Sequence, residues 1–375
     1  MWGSGRGRVF AARTAIAVMA AVVLGATGGC SDGARAPEQP AGSGGVPAAR
    51  APELARISWE PARLAAAAPA LVGWKEGATG VLVALSEGLA TSDGTREVWR
   101  APEGLALELV ALDAAGSQAA MLVTVADPDV PSGQRRALAV ADAEGTREIE
   151  LPDGFDFSSA AFAPDGRLVV VAAHLGATSV ESTLGVAAAD GSLQPVALAG
   201  DVPVHHFVER VMAVEGTDAL ALVLKTPGSP ADRDDEAVVL ATLADDNLEV
   251  YTPAFFDDSL PSAVPLIGDE GVVYARTWRE VAGRAVIDLV RARFDGAEWE
   301  EAAILEDAHI ASGIETGQVA AAAPDGTLWL RSGGTPADGA TTNAEYLMRL
   351  APGSRVPEQT SLDVGAVRAW WWVSR

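Results

Sequence analysis

Four histidines and a scatter of carboxylates are the side chains of this 375-residue chain best suited to hold a ligand or move a proton. The histidines are His174, His205, His206 and His309, and interspersed with them stand Asp153, Asp156, Asp201, Asp257, Asp258 and Asp307. Carboxylate oxygens bind hard divalent cations such as calcium, or basic peptides, and imidazole nitrogens can complete a ligand set. Spacing restricts the options. His205 and His206 point to opposite sides of an extended segment, so the pair is poorly placed to ligate one ion. The run Asp232-Arg233-Asp234-Asp235-Glu236 lacks the glycine that a calcium loop of EF-hand spacing requires and reads as a solvated loop tip. No Gly-x-Ser-x-Gly elbow, His-Glu-x-x-His helix, Gly-x-x-x-x-Gly-Lys loop or Cys-x-x-Cys pair occurs. A site in this chain therefore has to be assembled from residues on separate loops, which a rigid scaffold must bring together.

That scaffold reads as all-β. From about Leu71 onward, short strands rich in Val, Leu and Ala alternate with turns containing Asp-Gly, Glu-Gly or Gly-Ser. The turns fall in two interleaved series. One runs through Gly77, Gly116, Gly166, Gly216, Gly271 and Gly326, the other through Gly94, Gly145, Gly191, Asn247, Gly296 and Gly353, each recurring at about 50 residues. Two turns per period of that length mean four strands per unit, the pattern of a β-propeller. Glycine suits these positions because a tight hairpin needs positive φ.

Two copies are sharp: Ser159-Ala160-Ala161-Phe162-Ala163-Pro164-Asp165-Gly166 and Val319-Ala320-Ala321-Ala322-Ala323-Pro324-Asp325-Gly326. Both resemble the repeat of TolB-like and WD40-like propellers, in which an inner strand ends in a Phe-Ser-Pro-Asp-Gly turn. The resemblance implies, for the third blade, strands near 158–163, 167–173, 183–188 and 193–198. Six units fit, and Ile57-Ser58-Trp59 offers an edge strand that leaves a seventh blade open. The strand Val367 to Val373 is left over, and its natural use is to close the ring beside residues 70–85, with Trp370 and Trp372 on one side and Trp371 on the other.

In such a ring, the turns after the first and third strands share one face, and the connections after the second and fourth share the other. The second group holds the long loops, the four histidines, and Asp153, Asp156, Asp201, Asp257, Asp258 and Asp307. Rigidly presented long loops are the usual place for binding. The expectation is an acidic, histidine-bearing face that receives a protein partner, with a divalent cation near the central channel as a further use.

The start of the chain carries an address. Arg6, Arg8 and Arg13 precede an apolar run from about Ala15 to Leu24, and Gly25-Ala26-Thr27-Gly28-Gly29 lead to Cys30, the sole cysteine. This is the layout of an export signal, too short for a membrane span of about 20 residues. Cysteine at the cut resembles the lipobox of bacterial lipoproteins, although Thr27 stands where that family has Leu, Val or Ile. The resemblance implies a signal peptide at 1–29, lipidation of Cys30, and a membrane anchor; Ser31 resembles outer-membrane sorting. Residues 30–53, rich in Pro, Ala, Gly and Ser, read as a flexible tether ahead of a propeller over 54–375. With 27 basic and 51 acidic residues the net charge is −24, which disfavours nucleic acid as a partner. The leading expectation is an envelope-anchored lipoprotein that binds or scaffolds another envelope protein. The alternative is a propeller enzyme of the metal-dependent lactonase or hydrolase type.

Overall fold

The strands beyond Ala70 carry apolar residues on both faces, and such strands are stable only when both faces are covered. In a computed structural model they form six small sheets in a ring, a six-bladed β-propeller. The structure describes residues 51–375 apart from 76–79, 87–94, 176–179, 204–205, 215–216, 227–235, 246, 257–265, 269–271, 283, 306–314, 324, 334–344, 364–366 and 375.

Blade 1 joins β1 (Ala70–Lys75), β2 (Val81–Ser86) and β3 (Thr95–Arg100) to the last strand, β26 (Val367–Val373), in the order β26-β1-β2-β3. Blade 2 is β4 (Leu107–Leu112), β5 (Ala119–Ala126), β6 (Gln134–Ala141) and β7 (Thr146–Ile149). Blade 3 is β8 (Asp156–Phe162), β9 (Leu168–Leu175), β10 (Val180–Ala187) and β11 (Leu193–Pro195). Blade 4 is β13 (Phe207–Ala213), β14 (Ala219–Lys225), β15 (Glu236–Ala244) and β16 (Asn247–Val250). Two short strands extend it: β12 (Ala197–Ala199), arriving from blade 3 to pair in parallel with β16, and β17 (Phe255–Phe256), paired with β15. Blade 5 is β18 (Leu266–Gly268), β19 (Val272–Val281), β20 (Arg284–Phe294) and β21 (Trp299–Leu305). Blade 6 is β22 (Glu315–Ala322), β23 (Leu328–Gly333), β24 (Glu345–Leu350) and β25 (Glu358–Asp363).

Period-2 alternation distributes each strand between two interfaces. In β5, Ala119, Met121, Val123 and Val125 pack toward blade 1, while Ala120 and Leu122 pack toward blade 3. In β14, Leu220, Leu222 and Leu224 face blade 3, and Ala219 and Ala221 face blade 5. The buried apolar residues fall into separate clusters at the successive blade contacts.

Closure follows the expected route. β26 pairs antiparallel with β1, placing Trp372 opposite Leu71 and Trp370 opposite Gly73. Trp372 and Trp370 pack with Ala321, Ala323 and Trp329 of blade 6, whereas Trp371 lies against the cluster shared with blade 2. Gly73 makes the close approach: a Cβ there would sit 2.7 Å from Trp370 Cζ3 and 2.9 Å from Val367 Cγ1.

Three expectations are corrected. Ile57-Ser58-Trp59 forms no strand and the ring has six blades. These residues lie between short helices α1 (Ala51–Leu54) and α2 (Pro61–Ala65), and their backbone is held by side chains instead. Trp99 Nε1 donates to Ser58 O, Thr146 Oγ1 donates to Ile57 O, and Trp59 Nε1 donates to Gly116 O. Leu54, Ile57, Trp59 and Leu64 are buried in the blade 1–2 cluster, so the segment staples those blades together. Gly77, outside the described residues, falls between the second and third strands of blade 1, because β26 supplies the first; it does not belong to its assigned turn series. The turn assigned to Asn247 begins at Asp245, which takes φ 46°, and Asn247 opens β16.

Trp372→Ala is expected to cost about 3–5 kcal/mol, the usual cost of emptying a buried Trp site, measured by urea unfolding. Two turn carboxylates give the fold an acid-sensitive component. Ser192 donates to Asp190, and the N–H groups of Glu298 and Ala297 donate to Asp295, each holding the carboxyl below its ordinary value. A folded pKa below the unfolded one adds stability that is full above the unfolded value of about 3.9 and is lost as pH falls below it. Thermal unfolding between about pH 6 and pH 3 should therefore fall less steeply in Asp190→Asn with Asp295→Asn than in the parent.

Candidate functional site

Only some of the candidate residues can be followed in space. His205, Asp257, Asp258, Asp307, His309 and Cys30 lie outside the described residues. Of the remainder, Asp153, Asp156 and His174 are brought together and Asp201 and His206 occupy a different connection.

The first group is built where blade 2 hands over to blade 3. The chain leaves β7 through Glu150, whose N–H donates to Gly191 O at 2.8 Å. Gly191 has φ +88°, and a Cβ on it would lie 2.3 Å from Glu148 O, so this crossing requires glycine. Beyond it, Phe155 N–H donates to Pro152 O at 3.0 Å and closes a turn that exposes Asp153. Asp156 then opens β8 opposite Ala173 of β9, next in sequence to His174.

His174 locks onto that turn. Its Nδ1 lies 2.6 Å from Gly154 O, and its ring stacks at a tilt on Phe155 with centroids 5.7 Å apart. A carbonyl only accepts, so Nδ1 carries the proton in this contact and neutral His174 keeps Nε2 as an acceptor. The imidazole is thereby oriented by the loop that carries Asp153 and Asp156.

Beside the turn lies a cleft of about 570 Å³ between blades 2 and 3. Leu122, Leu138, Phe155 and Phe157 supply apolar lining, and Glu148, Glu150, Asp153 and Asp156 supply carboxylates. Arg135 and Arg136, also in the lining, are engaged. Arg135 Nη2 donates to Glu148 Oε1 at 2.5 Å, and its Nε forms an ion pair with Asp127 Oδ2 at 3.0 Å without hydrogen-bond alignment. Arg136 pairs with Glu108 at the exposed rim. Glu150, Asp153 and Asp156 have no ion-pair partner among the described residues, so the cleft presents unneutralised negative charge around aromatic surface.

The structure alters the expected use of these residues. Asp153 and Asp156 line an inter-blade cleft whose other walls include the outer strands β6 and β7, so they do not gather around the central axis. Asp201 is exposed and His206 N–H donates to Pro203 O at 3.4 Å, both in the blade 3–4 connection. Among the described residues no group of three or more His, Cys, Asp or Glu side chains is placed to hold a metal ion. The residues that sequence reasoning missed are Arg135, Glu148, Phe155 and Phe157; the apolar-acidic alternation Phe155-Asp156-Phe157 beside a long loop was the available signal.

No protein-family model matches the sequence, and no curated protein matches it. Some solved structures are similar to it at low identity. A Bacteroides caccae protein of unknown function is 14% identical with TM-score 0.41, covering 81% of this chain and 98% of its own. A levansucrase mutant from B. megaterium is 9% identical with TM-score 0.37, covering 76% and 89%. Dipeptidyl peptidase 4 of Porphyromonas gingivalis is 10% identical with TM-score 0.43, covering 81% of this chain and 54% of that one.

The Arg135 pair has a measurable consequence. Asp127 is 5% exposed, and removing its cation leaves a carboxylate buried without that compensation. Arg135→Met is expected to destabilise the chain by about 3 kcal/mol in urea unfolding, and adding Asp127→Asn should recover part of that loss.

Proposed function

We propose that this chain is an envelope-anchored lipoprotein whose propeller binds another envelope protein through its long-loop face, taking a basic segment of that partner into the cleft between blades 2 and 3. The observation that carries the reading is the cleft itself: among the described residues Glu150, Asp153 and Asp156 have no ion-pair partner around Phe155 and Phe157, while both lining arginines are already paired. Lysine and arginine side chains match such a lining, because their heads pair with carboxylates and their stems lie along aromatic surface. The scaffold supports it further. Blades 2 and 3 are locked by their shared apolar cluster, and His174 holds the Gly154 turn, so little ordering is needed on association. Among the described residues no helix is long and apolar enough to cross a membrane, and attachment in this reading is through acyl chains on Cys30.

Crosslinked native envelopes should yield an enriched partner with the parent chain and lose it with Asp153→Lys plus Asp156→Lys, a change of exposed residues that leaves the fold intact. An unchanged partner profile would sink the cleft assignment. Cys30→Ser should move the protein to the soluble fraction; retention with membranes would remove the lipoprotein reading. A calcium-specific rise in melting temperature, lost on Asp257→Asn with Asp258→Asn, would favour the metal-dependent hydrolase instead.

A further inference from the structure

On the opposite face, between blades 5 and 6, a second cleft has the opposite chemistry. It opens beside the Asp325-Gly326 turn that joins β22 to β23 and the Pro352-Gly353 turn that joins β24 to β25, with a volume of about 650 Å³. That is within the range of about 300–1,000 Å³ for small-molecule pockets. Leu328 and Leu350, both almost fully buried, lie at its base with Tyr274, and Ile304 lines a wall.

Two guanidinium groups belong to this lining, Arg291 of β20 and Arg355 beyond β24. Neither has an ion-pair or hydrogen-bond partner for its side chain among the described residues. Elsewhere among the described residues arginines are engaged: Arg56 and Arg96 donate to backbone carbonyls, and Arg100, Arg136 and Arg147 hold carboxylates. Composition makes the contrast informative. With 51 acids to 27 bases, partners for arginine are in excess, yet two arginines share a cleft without one among the described residues. Among the described residues the only acid in the lining is Asp325, and it is turned to its own loop, where Oδ1 accepts from Thr327 N–H at 2.8 Å and Oδ2 from Thr327 Oγ1 at 3.0 Å.

We propose that this cleft binds a small organic anion: a carboxylate or phosphate head held by Arg291 and Arg355, with an aliphatic body laid on Leu328, Leu350 and Ile304. Guanidinium is matched to both heads through paired N–H donors. The apolar base would add affinity with the length of the body, since each buried methylene contributes about 0.8 kcal/mol. The site is independent of the partner-binding cleft and stands or falls separately.

Calorimetric titration of the full chain carrying Cys30→Ser, kept free of detergent, tests it with four probes: octanoate, octyl phosphate, neutral octanamide and inorganic phosphate. At least one octyl anion should bind, and comparison of the two identifies the preferred head. Octanamide and inorganic phosphate should bind at least roughly tenfold more weakly, because each lacks one half of the recognition. Arg291→Gln and Arg355→Gln should each weaken the octyl anion roughly tenfold or more with thermal unfolding unchanged, as both side chains are exposed. Arg136→Gln, in the other cleft, should leave it unaltered. Failure of both octyl anions to bind, equal binding by the double Arg291→Gln, Arg355→Gln variant, or inorganic phosphate binding as tightly as octyl phosphate would overturn the proposal.

Discussion

Every blade of this ring depends on having a neighbour on both sides. A strand such as β14, apolar on successive residues, exposes hydrocarbon on one face or the other unless two further sheets cover it. No subset of blades satisfies that condition, because any open arc leaves two faces bare. The pairing of β26 with β1 is therefore what allows the remaining interfaces to persist, and the tryptophans of β26 serve two contacts at once, with blade 6 through Trp370 and Trp372 and with blade 2 through Trp371. The segment carrying Trp59 and Leu64 reinforces the same place, lying over the contact between blades 1 and 2.

The two clefts are by-products of that arrangement. The cleft between blades 2 and 3 and the cleft between blades 5 and 6 both include third or fourth strands in their walls, one opening with the long connections and the other with the short turns. Their contrasting charge arises from pairing. Arg135 and Arg136 are consumed by Glu148, Asp127 and Glu108, whereas Arg291 and Arg355 have no such neighbours among the described residues.

Much of the architecture was legible because the information is local. The Ala-Pro-Asp-Gly turns, the alternation of Trp370, Trp371 and Trp372, and the four strands of blade 3 each depend on residues within a few positions of one another. The failures came where distant residues decide. Gly77 sits in a glycine-bearing stretch like the others, but β26 occupies the innermost position of blade 1 and displaces β1 to the second. Asp245 adopts positive φ without glycine, its carbonyl accepting from Arg167 on the neighbouring blade. Ile57 to Trp59 alternates like a strand, but its carbonyls are taken by Trp99 and Thr146 side chains. Asp153 and Asp156, named from their loop position, line the cleft between blades 2 and 3, while the engagement of Arg135 by Asp127 and of His174 by Gly154 depends on spatial neighbours that spacing alone does not reveal.

The strand order of blade 1 also sets a timetable. β1 emerges from the ribosome almost 300 residues before the strand that must lie against it, so until then its inner edge carries N–H and C=O groups with no ladder. Blades 2 to 6 each consist of strands made in immediate succession and can pair as they appear, but the first blade must wait for the last. Such a chain is held open during synthesis by its own topology, and it becomes a ring only after β26 has been made and reaches β1.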